Sequence, residues 1–129
     1  MVNPFRPGDT RTFERVVSDA DLARFDAGLV HPVYGTFALA RDAEWVCRLF
    51  VLEMKEAHEE GIGASVSVEH LAPAPLGSTV VFTAHLLAVV GNRVDCRWEA
   101  HRGETLIAHG EQVQRILPRE RIERLFEGI

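Results

Sequence analysis

The stretch Ser65-Val-Ser-Val-Glu-His-Leu-Ala-Pro-Ala-Pro-Leu-Gly77 places a histidine where an alternating run meets two prolines. Counting by twos sets Ala64, Val66, Val68 and His70 on one side of a strand, with Ser65, Ser67 and Glu69 on the other. His70 therefore shares the apolar side, and a half-buried imidazole is expected. Pro73 and Pro75 cannot donate to a ladder and mark the strand's exit. An imidazole, with a pKa near ~6.5, takes a proton at neutral pH and returns it, as a general base must. The plain alternative is a core histidine satisfied by a backbone carbonyl.

The other reactive side chains offer less. His31, His58, His85, His101 and His109 show no metal-ligand spacing, so no zinc site and no metal is expected. Cys47 and Cys96 are isolated thiols, one in a helical pattern and one in a strand pattern, and read as small core residues. No Gly-rich phosphate loop is present.

The elements that must position His70 follow from periodicity. Thr10 to Val17 reads as a strand, and Ser18 to Asp21 as a capping signal for a short helical turn through Phe25. Asp26 to Tyr34 reads as a loop. From Thr36 to Glu60 there is no Gly or Pro, and the run stops at Gly61, which predicts one long helix. Phe37, Ala40, Ala43, Val46, Cys47, Phe50, Val51 and Met54 recur at three and four; Leu39, Trp45, Leu49 and Leu52 widen that stripe, so the helix must be wrapped. Alternation then predicts four strands, Gly63 to Ala72, Ser78 to Val90, Arg93 to His101 and Glu104 to Leu117. Short glycine-containing links join the last three. Pro118 opens a final helix with Ile122, Leu125 and Phe126 on one face. The fold class is α+β: one domain, residues 1–129, with a curved antiparallel sheet wrapped around one long central helix.

Two stretches in this order, Tyr34-Gly-Thr-Phe-Ala-Leu-Ala-Arg-Asp-Ala-Glu-Trp-Val-Cys47 and Gly63-Ala-Ser-Val-Ser-Val-Glu-His-Leu-Ala-Pro-Ala-Pro-Leu-Gly77, resemble the fluoroacetyl-CoA thioesterase-like branch of the hotdog superfamily. In that branch a Thr, a Glu eight residues later and a His at the end of the next strand act together; Thr36, Glu44 and His70 fall on those positions. The resemblance implies thioester hydrolysis of an acyl-CoA with no cofactor. Water or Thr36 would attack the carbonyl, His70 would serve as base, and Glu44 would orient the imidazole. Backbone N–H groups near Gly63 would hold the oxyanion. It also implies substrate contacts at Gly63, Val30 and Tyr34, and a homodimer, alone or in a larger oligomer of dimers, with its sites at the interface.

The residues keep plainer readings beside this one. Thr36 stands where a helix cap is expected. Glu44 and Arg48 have the favourable i, i+4 orientation of a surface pair. Eight helical residues rise about 12 Å, so Thr36 and Glu44 of one chain meet only through an irregular helix start or a site shared between subunits. Ala27 and Val30 stand where the family's fluoroacetyl-CoA enzyme has aromatic lid residues, and Gln114 stands where it has an arginine. Plain acyl groups are therefore expected in place of a fluorinated one, and the competing reading is a non-catalytic module that binds acyl-CoA or an acyl carrier.

Composition bounds the rest. A net charge of -5 gives no footing for nucleic acid, and 47% hydrophobic with 26% charged residues is ordinary for a globular domain. MVNPFRPGDT has no apolar core of signal-peptide length and no run approaches a membrane span, so a cytoplasmic chain without membrane partners is expected.

Overall fold

A computed structural model describes residues 1–129. Strand β1 (Thr10–Val16) is followed by a single 3-10 turn (Asp19–Asp21), the hairpin β2 (Leu22–Phe25) and β3 (Gly28–Tyr34), and helix α1 (Thr36–Met54). Then come β4 (Glu59–Val66), the two-residue β5 (Glu69–His70), β6 (Thr79–Val90), β7 (Arg93–Arg102), β8 (Thr105–Pro118) and α2 (Arg119–Glu127). The antiparallel sheet runs β1-β6-β7-β8-β4, with β5 also on β8. Helix α1 packs against all five long strands, which a sheet can achieve only by curling around it. This is the hotdog fold.

The inner face follows the alternation. Val80, Phe82, Ala84 and Leu86 of β6 and Val94, Cys96, Trp98 and Ala100 of β7 close on Val46, Phe50 and Met54 of α1. Gly91 and Gly103, both at φ +60°, occupy the first central position of the two hairpin turns, where a two-residue link needs left-handed backbone. Cys47 and Cys96 meet across the helix–sheet interface; that contact and burial push the Cys47 thiol far up, leaving it inert. No helix is long and apolar enough to cross a membrane.

Four boundaries differ from the sequence reading. The turn after Ser18 closes once, because the Asp21 carboxylate accepts from the Ser18 N–H and hydroxyl, both at 2.9 Å. The chain then runs extended from Leu22, and in place of a loop Asp26 and Ala27 form a tight turn into a hairpin arm, Gly28 to Tyr34: Phe25 pairs with Gly28 and Leu22 with Tyr34. Pro32 is accommodated in the irregular register between His31 and Tyr34. Helix α1 ends at Met54, six residues before Glu60. Glu59 to Gly63 pair with Pro118 to Gln114 on β8, and this ladder overrides local helix propensity. Finally, the predicted strand from Gly63 to Ala72 is two pieces with a register shift at Ala64, so Ala64 and Val66 are exposed while His70 is half-buried. In α2, only Ile122 of the three apolar residues is buried.

One side of α1 stays open. Phe37 is 83% exposed, and Trp45 and Leu52 are also exposed, on the stripe that carries Glu44. Strand β4, beside that stripe, is a sheet edge.

Candidate active site

Thr36 is the first residue of α1, and the residue that caps the helix is Gly35. The Thr36 hydroxyl makes no cap bond; it lies 2.9 Å from His70 Nδ1. Three contacts fix the entry of the helix. The Tyr34 N–H donates to the Ala74 carbonyl at 2.8 Å and the Gly35 N–H to the Asp21 carbonyl at 2.9 Å. A side chain at Gly35 would come within 3.0 Å of the Ala23 Cα, so the hairpin can lie flat on this corner. His70 is set from the other side by β5, where it pairs with Ala108, and by the Leu71 N–H on the Ile107 carbonyl at 2.7 Å. Its Nε2 is buried and has no hydrogen-bond partner.

The first half of α1 is held down by a charged cluster. Asp42 is 1% exposed and accepts from Arg15 at 2.8 Å, from Arg41 at 2.9 Å and from the Tyr34 hydroxyl. Burial alone would raise its carboxyl, yet the two guanidinium groups and the hydroxyl hold it below its ordinary value. Tyr34, in contrast, is pushed up by burial and by the adjacent carboxylate. Tyr34 is 0% exposed. This corrects the expectation that it touches substrate: its ring is core and its hydroxyl is committed to Asp42.

Glu44 is exposed and does not reach His70 within the chain; two turns of helix separate it from Thr36. Nor does it pair with Arg48, which binds Glu60 at 2.8 Å and, together with the Gly61 N–H, holds the Glu60 carboxyl down at about 2. The Glu44 carboxylate instead accepts from the Gln112 amide at 3.3 Å and lies over Gly63, where an added Cβ would meet Glu44 Oε1 at 2.1 Å. The four expected residues thus form two pairs, Thr36 with His70 and Glu44 with Gly63.

A cleft of about 410 Å³ opens beside Thr36, lined by Leu22, Ala23, Phe25, Val30 and Phe37, with Arg24, His31 and Arg41 also present. Val30, expected to touch substrate, is among the residues that line this cleft. Phe25 and Phe37 supply two aromatic walls that the lid reading lacked, because it began at Asp26 and took Phe37 for core. The roomiest depression, about 640 Å³, lies elsewhere, over the polar outer face of the sheet at Arg97, Glu99, His109 and Glu111, and shares no residue with this cleft.

Two further features escaped the sequence. Gln112 and Gln114 sit in the same inward phase of β8 as Ile116, and a polar pair in apolar phase was the available signal. Glu56, His58 and Glu59 gather their ligating atoms within 4.8 Å, a grouping not expected from spacing; both carboxylates there bind the Met1 amine.

The profile of the fluoroacetyl-CoA-specific thioesterases matches residues 17–120. The chain belongs to this family. Within and around the fluoroacetyl-CoA-specific thioesterase family, the fluoroacetyl-CoA thioesterase of Streptantibioticus cattleyicolor is 32% identical over 89 residues, 69% of this chain; the match spans 64% of that relative's length. A thioesterase superfamily member from Thermus thermophilus superimposes with a TM-score of 0.93 at 38% identity, over 98% of this chain and 93% of that one. The crystal structure of the fluoroacetyl-CoA thioesterase FlK gives 0.88 at 27% identity, over 96% of each chain.

Proposed function

We propose that this chain is an acyl-CoA thioester hydrolase acting on a small or medium, unsubstituted acyl group. The observation that carries the reading is the 2.9 Å contact between Thr36 Oγ1 and His70 Nδ1 beside an apolar cleft. A hydroxyl on an imidazole is a nucleophile on its base. With Nδ1 as acceptor, His70 takes the hydroxyl proton as Oγ1 attacks the thioester carbonyl. Collapse expels the coenzyme A thiolate, which takes that proton, and leaves an acyl ester on Thr36. Water then attacks the ester carbonyl, passing a proton to a carboxylate base; collapse of that intermediate breaks the bond to Thr36 Oγ1, which takes the proton back from the carboxylate as the acid departs.

The carboxylate in this scheme is Glu44 of the partner subunit. Within one chain Glu44 stands about 12 Å along the helix from Thr36, yet it is exposed on the open stripe of α1 beside Phe37 and Trp45. A homodimer that covers this stripe, with β4 as the neighbouring edge, would set Glu44 and Gly63 of the partner subunit across from the Thr36–His70 pair. Covering an apolar stripe of this kind supports such an assembly. The role of Glu44 is then to activate water, not to orient the imidazole.

A screen of acyl-CoA esters of increasing chain length, read by thiol release, tests the activity. Turnover of plain acyl groups is expected. Tight acyl-CoA binding with no thiol released from any ester would leave a binding module in its place.

A further inference from the structure

The inner face of the curled sheet is apolar on β6 and β7, but β8 places two amides there. Gln112 is 1% exposed and Gln114 2%, opposite Cys96 and Val94. Buried amides are costly unless every donor is used. Here all four N–H bonds are placed: Gln114 Nε2 donates to Gln112 Oε1 at 3.0 Å and to the Glu44 carbonyl at 3.4 Å; Gln112 Nε2 donates to the Val113 carbonyl at 3.2 Å and to Glu44 Oε1 at 3.3 Å. Turning either amide over would set oxygen against oxygen. The direction is therefore fixed, and Gln114 holds the Gln112 oxygen so that the Gln112 N–H group faces the carboxylate.

A purely structural network would close within the core, where an aliphatic pair beside Val94 and Cys96 would pack without polar cost. This one ends on an exposed carboxylate whose same oxygen, Oε1, also lies against the Gly63 backbone. We propose that Gln114 and Gln112 form a relay that holds Glu44 Oε1 and leaves Oε2 free for the reaction, making both glutamines positioning residues. The inference rests on the hydrolase reading for its kinetic consequence, but its geometry is testable without turnover.

The kinetic test uses the full chain. Gln112→Met should lower kcat about 10-fold, the loss of one hydrogen bond to a charged group, with KM within about twofold. Gln114→Met should act in the same direction. In a Glu44→Gln background Gln112→Met should cost nothing further, a coupling that a merely structural amide would not show. An unchanged kcat in either folded variant, or the same loss in both backgrounds, overturns the relay. Because the chain has only two glutamines and two asparagines, their side-chain amides can be resolved in a 15N spectrum. Slow exchange of the Gln112 amide, and its displacement by Glu44→Ala, are expected. Fast exchange, or indifference to Glu44→Ala, overturns the relay even if no acyl-CoA is hydrolysed, an outcome that would refute only the hydrolase reading.

Discussion

The Thr36 hydroxyl and His70 Nδ1 lie 2.9 Å apart although 34 positions separate them in the chain. One stands on the first turn of α1 and the other on the shortest strand, so the sheet's curl is what joins them. His70→Ala and Thr36→Ala should each lower kcat by ~10²- to 10⁴-fold. Each variant should keep its melting temperature within a few degrees, since both side chains are at the surface or half-buried. Full turnover in either variant would return His70 to the part of a core histidine.

Gly63→Ala tests the second pair separately. The new Cβ would fall 2.1 Å from Glu44 Oε1, so the carboxylate must move off the strand. Because the obstacle is the end of an exposed side chain, stability should change by less than about 1 kcal/mol while kcat drops at least tenfold. A rate equal to wild type would show that the position of the carboxylate is not used.

The Asp42 cluster makes an acid-sensitive anchor. Its carboxyl is held below the ordinary 3.8, so its stabilising contribution is present above that value and is lost as pH falls through 3.8 toward the lower folded pKa. Asp42→Asn should cost about 2 to 3 kcal/mol at neutral pH and flatten the loss of stability below pH 4. Denaturant titrations at pH 7 and pH 3 measure both; an equal stability gap at the two pH values would contradict the assignment.

Much of this arrangement was legible in the residue order. Strict alternation on β6 and β7 fixed the sheet, because every second residue there is apolar, and a 3.6-residue period marked α1. The site was only partly legible. Glu44 carries the i, i+4 spacing of a surface pair with Arg48, and nothing local reveals that Arg48 is drawn to Glu60 on the neighbouring strand while Glu44 turns to Gln112. The end of α1 was hidden for a similar reason: Lys55 to Glu60 continue the helix formers, but Glu59 and Glu60 are drawn into pairing with Pro118 and Leu117, 57 or more positions away. Tyr34 misled because its position beside Thr36 says nothing of a buried aspartate, Asp42, nearly two turns into the helix.

The cleft beside Thr36 predicts an acyl preference. Its walls are Leu22, Ala23, Val30 and two phenylalanines, and each buried methylene can contribute about 0.8 kcal/mol, close to fourfold in binding. Values of kcat/KM should climb with acyl length and fall once the chain outgrows the cleft, with acetyl-CoA handled at least as well as fluoroacetyl-CoA. A preference of several orders of magnitude for the fluorinated ester would mean that Phe25 and Phe37 act as a selective lid.

The most direct test of a site shared between subunits is complementation. His70→Ala and Glu44→Gln chains, each left with only a small residual rate alone, are unfolded together, refolded at equal concentration and assayed for thiol release. In a mixed dimer one site carries both lesions and the other neither, so random pairing should restore about a quarter of wild-type activity. A mixture as inactive as its two components, under conditions where mixed dimers are shown to form, would place Thr36, His70 and Glu44 in one protomer's site and contradict the account.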